Sequence, residues 1–431
     1  STMSQKRTLL TLIISISCAA VFAQSPKCHT DEALQLYLNQ SPNLRDQIIA
    51  QEQTVREWIR NNRQDHQRTS GSVVTIPTVF HIVYKNNTQN IADSNITRQI
   101  AILNECYRLQ NTNFSQTRSI FDTIAADVEV DFCLASIDPS GNPTTGITRT
   151  QAPAGSFFDP ILGFDNVKRS ANGGKDPWPA DQYLNIWICD MSLFGLTAVL
   201  GYAQFPGGNP LTDGVVIQYQ FTGFMPNNTS SDLGKTAVHE VGHWLGLRHI
   251  WGDGQGSSTP CDSTDYVDDT PNADTASQQT CIIKNSCNNE SAFWSSIGVD
   301  PPDMMENYMD YSYDACMTMF TQGQKDRMLG FLNTLRASLL NSPGCGSTSL
   351  PEPNVNNPVV YPNPAHHSIG IGGVSTKPKS IQIMDLSGKT YFASAVQEFG
   401  EIEINQLSAG TYLVQVEFEN GTSRAIRFVK Q

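Results

Sequence analysis

The chain has 431 residues, 39% of them hydrophobic, with 13 tyrosines and a formal net charge of −13. That length exceeds one small core and predicts two or three folded domains rather than a disordered polymer. An acidic balance without long single-sign blocks argues against nucleic acid or an anionic membrane surface as partner, and suits an exported protein that collects divalent cations.

Lys6 and Arg7 precede an apolar run from Leu9 to Ala20, and Val21-Phe22-Ala23 offers a small-residue cleavage site before Gln24. Residues 1–23 therefore read as a secretion signal, with Ser1 and Thr2 as added residues ahead of Met3. A lipoprotein signal ending at Cys18 is the weaker alternative, because Ser15 stands where such signals want an aliphatic residue. The apolar run is short for a membrane span and nothing later could make one, so no transmembrane segment is expected in the mature protein. Of ten cysteines, Cys18 leaves with the signal and nine remain. In an exported protein most should pair, and an odd count leaves at least one without a partner in the chain.

Residues 24–70 are polar, helical in part from Asn43 to Asn61, and read as a propeptide. Its end, with Arg60, Arg63 and Arg68 before Thr69-Ser70-Gly71-Ser72, reads as an exposed, cleavable connector. A second domain then runs over residues 71–347. Val74 to Tyr84 reads as a strand that Pro77 places near an edge or a strand start. Ile96 to Leu109 has helical spacing, and residues 128–135, 183–188 and 214–219 read as further strands. Asp232 to Leu247 is expected to be a helix, residues 252–308 a long irregular region, and Met317 to Leu340 a helix again. A Pro/Asn-rich linker covers residues 348–358. Residues 359–431 carry short alternating runs separated by turns such as Ser387-Gly388 and Asn420-Gly421, which predicts a small all-β sandwich. The fold class as a whole is α+β.

The chemistry concentrates in His239-Glu240-Val241-Gly242-His243. Residues four apart share a helix face, so His239 and His243 can bind one ion. Gly246 can end the helix in a left-handed turn that returns His249 as third ligand. Three protein ligands with one open position is the pattern of catalytic rather than structural zinc. Glu240 can take a proton from water at that position and deliver it to the leaving amine of a cleaved peptide bond. A lone His-x-x-x-His often merely decorates a helix, but here three of eight histidines stand at the required spacing with Glu and Gly in place. His366 and His367 read as solvated surface residues, and His29, His66 and His81 are unassigned.

This motif is that of the metzincins, and Asn307-Tyr308-Met309-Asp310-Tyr311 resembles their Met-turn. Together with Leu200-Gly201-Tyr202-Ala203-Gln204-Phe205-Pro206, Asp213-Gly214-Val215-Val216 and Asp269-Thr270-Pro271, residues 75–345 resemble the pappalysin branch. The resemblance implies a zinc-protease domain with a mixed twisted sheet and an active-site helix. It implies Met309 as a floor beneath the metal, and Tyr311 acting on the metal or the developing oxyanion. Two crossed disulfides follow from it, Cys261–Cys287 and Cys281–Cys316. It also implies calcium in the acidic stretch of Asp253, Asp262, Asp265, Asp268, Asp269 and Asp274, with Asp269 and Thr270 as contributors. Arginine-preferring relatives carry an acid just after the Met-turn. Here Ala315 stands before Cys316, with Asp314 adjacent, and that preference is open.

Val360-Tyr361-Pro362-Asn363-Pro364, Leu407-Ser408-Ala409-Gly410-Thr411-Tyr412 and Arg427-Phe428-Val429-Lys430 resemble the C-terminal sorting domain of the type IX secretion route. An ordinary immunoglobulin-like binding module is the plainer reading of the same tail. Pairing four cysteines as implied leaves Cys28, Cys106, Cys133, Cys189 and Cys345, hence at most two more bridges. A thiolate is a strong zinc ligand, so Cys28 could fill the fourth position until the connector is cut, as in cysteine-switch zymogens. An ordinary disulfide is the alternative. The expected protein is thus a zinc metalloendopeptidase made as a latent zymogen and acting on extracellular proteins. It would reach the periplasm, pass the type IX machinery, and be released or held at the cell surface. The rivals are a surface-binding protein with a vestigial metal site and another zinc amide hydrolase. Vestigial sites tend to lose the base, and Glu240 is present. The third histidine and the Met-turn favour peptide bonds.

Overall fold

The computed structural model describes residues 28–66, 73–345 and 356–431, apart from 42, 198, 224–232, 253–258, 279, 289–290, 375–377, 386–387, 396–401 and 419–422. The signal with Cys18, the connector from residue 67 to 72, Asp253 and most of the linker lie outside them. The chain divides after Gly346 into two compact units.

In the first unit, two helices lead: α1 (Thr30–Gln40) and α2 (Leu44–His66). The second is longer than the sequence suggests, and Arg60 and Arg63 fall within it rather than in a connector. Strands β1 (Val74–Tyr84), β2 (Val130–Leu134), β3 (Ile147–Gln151), β4 (Leu184–Cys189), β5 (Gly201–Ala203) and β6 (Val215–Gln218) make one sheet. Its order is β2-β1-β4-β6-β5, with β3 also on β1. All pairs are parallel except β5 on β6. The long β1 is buried from Ile76 to Val83, as a strand covered on both faces must be. It is interior, not an edge. Pro77 is tolerated because it pairs with Cys133 of β2 while the ladder to β4 begins only at Thr78. Helices α3 (Asp93–Tyr107), α4 (Ser119–Asp122), α5 (Lys235–Trp244), α6 (Ala292–Ile297) and α7 (Gln322–Thr334) complete the unit.

Caps set where the two helices that matter most begin. Gly234, at φ +78°, turns the chain into α5, and the Asp314 carboxylate accepts from the N–H groups of Leu233 and Lys235 at 3.0 Å each. At α7, Thr321 and Gln324 form a reciprocal capping box, so Met317 to Phe320 are not helical as the sequence suggests. Asp269 reinforces that cap, accepting from Thr321 Oγ1 at 2.6 Å and Gly323 N at 2.8 Å. Disulfides join Cys261 to Cys287 and Cys281 to Cys316, tying the irregular region to the residues after the Met-turn. A third, Cys133–Cys345, fastens the end of β2 to the turn that closes the unit. Cys28, Cys106 and Cys189 are free and buried.

The second unit, residues 347–431, contains two antiparallel sheets, β10-β9-β12-β13 and β11-β8-β7. Their ranges are β7 (Asn356–Tyr361), β8 (Ser368–Val374), β9 (Pro378–Asp385), β10 (Thr390–Ala395), β11 (Ile402–Glu403), β12 (Gly410–Phe418) and β13 (Ser423–Lys430). Tyr412, Val414, Val416 and Phe418 alternate inward along β12 and share a core with Ile369, Ile371, Ile381 and Ile383.

Candidate active site

Helix α5 is buried along its length and ends in a Schellman turn. Gly246 sits at φ +92°, Leu247 N donates to Gly242 O at 2.9 Å, and any Cβ on Gly246 would strike the Phe331 ring. That turn brings His249 back onto the face that carries His239 and His243. The three Nε2 atoms lie 3.1–3.3 Å apart. Each Nδ1 is held elsewhere: His239 by Tyr308 O at 2.7 Å, His243 by Leu247 O at 2.8 Å, His249 by Asp31 Oδ2 at 2.9 Å. An Nδ1–H donated outward leaves three Nε2 lone pairs facing one another, an arrangement that repels itself without a cation. The spacing matches the roughly 3.3 Å edge of a tetrahedron whose corners lie about 2.0–2.1 Å from zinc. Cys28 Sγ completes the donor set within 4.8 Å. The residues fit zinc.

Glu240 is fully buried beside this set, and burial pushes its carboxyl up to about 8 despite hydrogen bonds from Thr30 and Cys28. Thr30 Oγ1 donates to Glu240 Oε2 at 2.9 Å, Cys28 Sγ lies 3.5 Å from the same oxygen, and Oε1 has no protein partner. Burial and the Glu240 carboxylate also push the Cys28 thiol well up. Buried acid and buried thiol both want a nearby positive charge. The segment that carries Cys28 lies along the free edge of β5: His29 N donates to Gly201 O at 3.0 Å and Ala203 N to Thr30 Oγ1 at 2.9 Å. Gly201 leaves room for the Glu240 side chain, because a Cβ there would meet Glu240 Cγ at 2.7 Å.

Met309 is buried beneath the helix, against Gly242, where a Cβ would meet its sulfur at 2.5 Å. The Tyr311 ring packs edge-on to His249 and Trp251, and its hydroxyl donates to Cys28 O at 3.3 Å. Lys235, Thr236, Asp310, Asp314 and Met317 line a small cavity beside His239 and Glu240. Asp314, not Ala315, therefore brings an acid to this cavity. Asp310 adds a buried carboxylate oxygen, Oδ2, with no protein partner.

Asp269 and Thr270 lie elsewhere, at the α7 cap. Thr270 Oγ1 donates to Asp265 Oδ2 at 2.8 Å, and burial raises Asp265 to about 7 and Asp269 to about 6. Among the described residues, Cys28 and the three histidines alone gather three or more His, Cys, Asp or Glu donors. His81 is a core residue, held between Thr148 and Asn185. Sequence reasoning missed Thr30 and Asp31, which had only their nearness to Cys28 to mark them. It also missed the role of Asp213. That carboxylate grips both Arg336 Nη atoms at 2.8 Å and accepts from Trp244 Nε1 at 3.0 Å, bracing the end of α5.

Fold and donor set together define a zinc metalloprotease. Residues 168–333 match the family model described as pregnancy-associated plasma protein-A, and residues 359–431 match that of the secretion system C-terminal sorting domain. An extracellular metalloprotease of Arthroderma gypseum is 31% identical over 281 residues, covering 64% of this chain and 78% of the relative. Mature mirolysin of Tannerella forsythia, solved with a cleaved peptide, is 42% identical with a TM-score of 0.56, covering 63% of this chain and 97% of that one. A mutant of Tannerella forsythia promirolysin is 38% identical with a TM-score of 0.59, covering 73% and 97%. The chain belongs to the pappalysin family of zinc metallopeptidases, and its tail is a type IX secretion sorting domain.

Proposed function

We propose that this peptidase is made latent, exported through the periplasm, and cleaves extracellular proteins once residues 24–70 are removed from the catalytic domain at 71–347. The convergence of the three Nε2 atoms at 3.1–3.3 Å carries the reading. His239, His243 and His249 would hold zinc, which when bound supplies Lewis-acid polarisation and a lowered water pKa at the open position. Glu240 would take the proton of the attacking water and hand it to the leaving amine, its carboxylate lying buried beside the three histidines. The Tyr311 hydroxyl, now donating to Cys28 O, would donate to the substrate oxygen as charge develops there.

Latency is supported by Cys28, whose sulfur lies with the three histidines, and by promirolysin matching a larger share of the chain than mature mirolysin does. Calcium is proposed at the loop of Asp265, Asp269 and Thr270 on the ground that two buried carboxylates and a buried hydroxyl, all oxygen donors, gather there. A direct test removes and restores metal. Chelation should abolish casein cleavage by the enzyme freed of residues 24–70 and stoichiometric zinc should restore it. Full activity in a protein shown by elemental analysis to hold no zinc would refute the reading.

A further inference from the structure

The prosegment also grips the catalytic unit well away from the histidines. Glu52 of α2 makes a two-pronged ion pair with Arg327 of α7, Nη1 to Oε1 at 2.7 Å and Nη2 to Oε2 at 2.8 Å. Arg327 is only 3% exposed, and its Nε donates to Gly246 O at 2.9 Å. Arg327, Arg248 and the prosegment's Arg56 all lie over the Tyr266 ring, at 5.2, 5.0 and 4.7 Å. One turn further along α2, Val55 is buried, and Val55 and Ile59 close over Gly330, where a Cβ would come within 3.0 and 3.2 Å of them. Gly330 leaves a notch in α7 that fits this apolar face.

We infer that Arg327, Tyr266 and the Gly330 notch form a second binding site, for a helix that carries a carboxylate one turn ahead of an apolar ridge, and that its ligand is the excised prosegment. Helix α2 continues to His66, so Arg60 and Arg63 are helical, and the proposed cleavage is taken to fall in the connector beyond it. A cut there leaves Glu52, Val55 and Ile59 on the same fragment as Cys28 and Thr30. None of the contacts at either anchor is broken by that cut. The fragment loses its tether but remains bivalent, and each anchor holds the other at high effective concentration. Cutting and activation are therefore separate events, and the fragment must dissociate or be destroyed before substrate enters. This rests on the latency reading only for what the bound fragment does, not for where it binds.

The test cuts the full chain in the connector, locates the cut by mass spectrometry, and follows the fragment by gel filtration. The fragment should co-elute with the enzyme, and activity should rise after cutting only on dilution or digestion of the fragment. Immediate full activity with the fragment eluting alone would overturn the inference. A labelled synthetic peptide of residues 28–66, titrated into the matured enzyme by fluorescence anisotropy, isolates the anchor. Glu52→Gln in the peptide should weaken binding ~10-fold or more, because it removes a buried charge-assisted pair. Unchanged binding by that peptide would also overturn it. A wild-type peptide that binds, weakens with Glu52→Gln, and yet does not inhibit would keep the second site and sink the latency reading instead.

Discussion

The two contacts that residues 28–66 make with the rest of the first unit differ in kind. Around Cys28 to Asp31, the thiol meets the histidine cluster and Glu240, the Thr30 hydroxyl meets Glu240, and the Asp31 carboxylate meets His249 Nδ1. Around Glu52 to Ile59, a buried ion pair and an apolar ridge meet the face of α7, and no catalytic group is touched. The first can silence chemistry with a handful of atoms. The second adds an ion pair and an apolar contact over Gly330, which set how long the segment stays. Blocking and holding can therefore be broken separately.

The largest effect should come from Glu240→Ala, with zinc content retained at one per chain and casein cleavage reduced by ~10²–10⁴ through loss of the base. Turnover close to wild type would remove Glu240 from the mechanism. Tyr311→Phe should lower kcat by ~10²-fold with little change in KM, as loss of an oxyanion donor does. A change confined to KM would make Tyr311 a substrate-binding residue. Asp213→Ala strands the buried Arg336 guanidinium behind α5 and should cost about 3–5 kcal/mol, read as a lowered urea midpoint. An unshifted midpoint would show that the Asp213 brace does not hold the helix. The smallest effect should be that of Thr30→Val, which keeps shape but removes the hydroxyl between Glu240 and Ala203 N. It should loosen the inhibitory grip of the prosegment by ~10-fold, without altering the matured enzyme. No change in prosegment inhibition would make Thr30 a spectator.

What the sequence discloses follows the range of the forces involved. The approach of His239, His243 and His249 is local, set by helical period and one glycine, and is legible from spacing alone. Cys28 is marked as a candidate by its chemistry and the odd cysteine count, and its sulfur lies with the histidines. Its neighbours Thr30 and Asp31 were not, because their partners are Glu240, at a separation of 210 residues, and His249, at 218. The start of α7 was misjudged because the Thr321 cap is completed by Asp269 from a distant loop. Strand β3 shows little burial alternation and β5 spans three residues, too short to register as patterns. The central position of β1 was hidden by Pro77, whose missing donor matters only where β4 runs alongside.

The central claim is that a prosegment sulfur stands where substrate water must go. X-ray absorption at the zinc edge of the intact, zinc-loaded chain tests it most directly. The account predicts three nitrogen neighbours and one sulfur, with the sulfur lost after the prosegment is removed and absent in Cys28→Ala. A zinc shell of nitrogen and oxygen alone in the intact chain would contradict it.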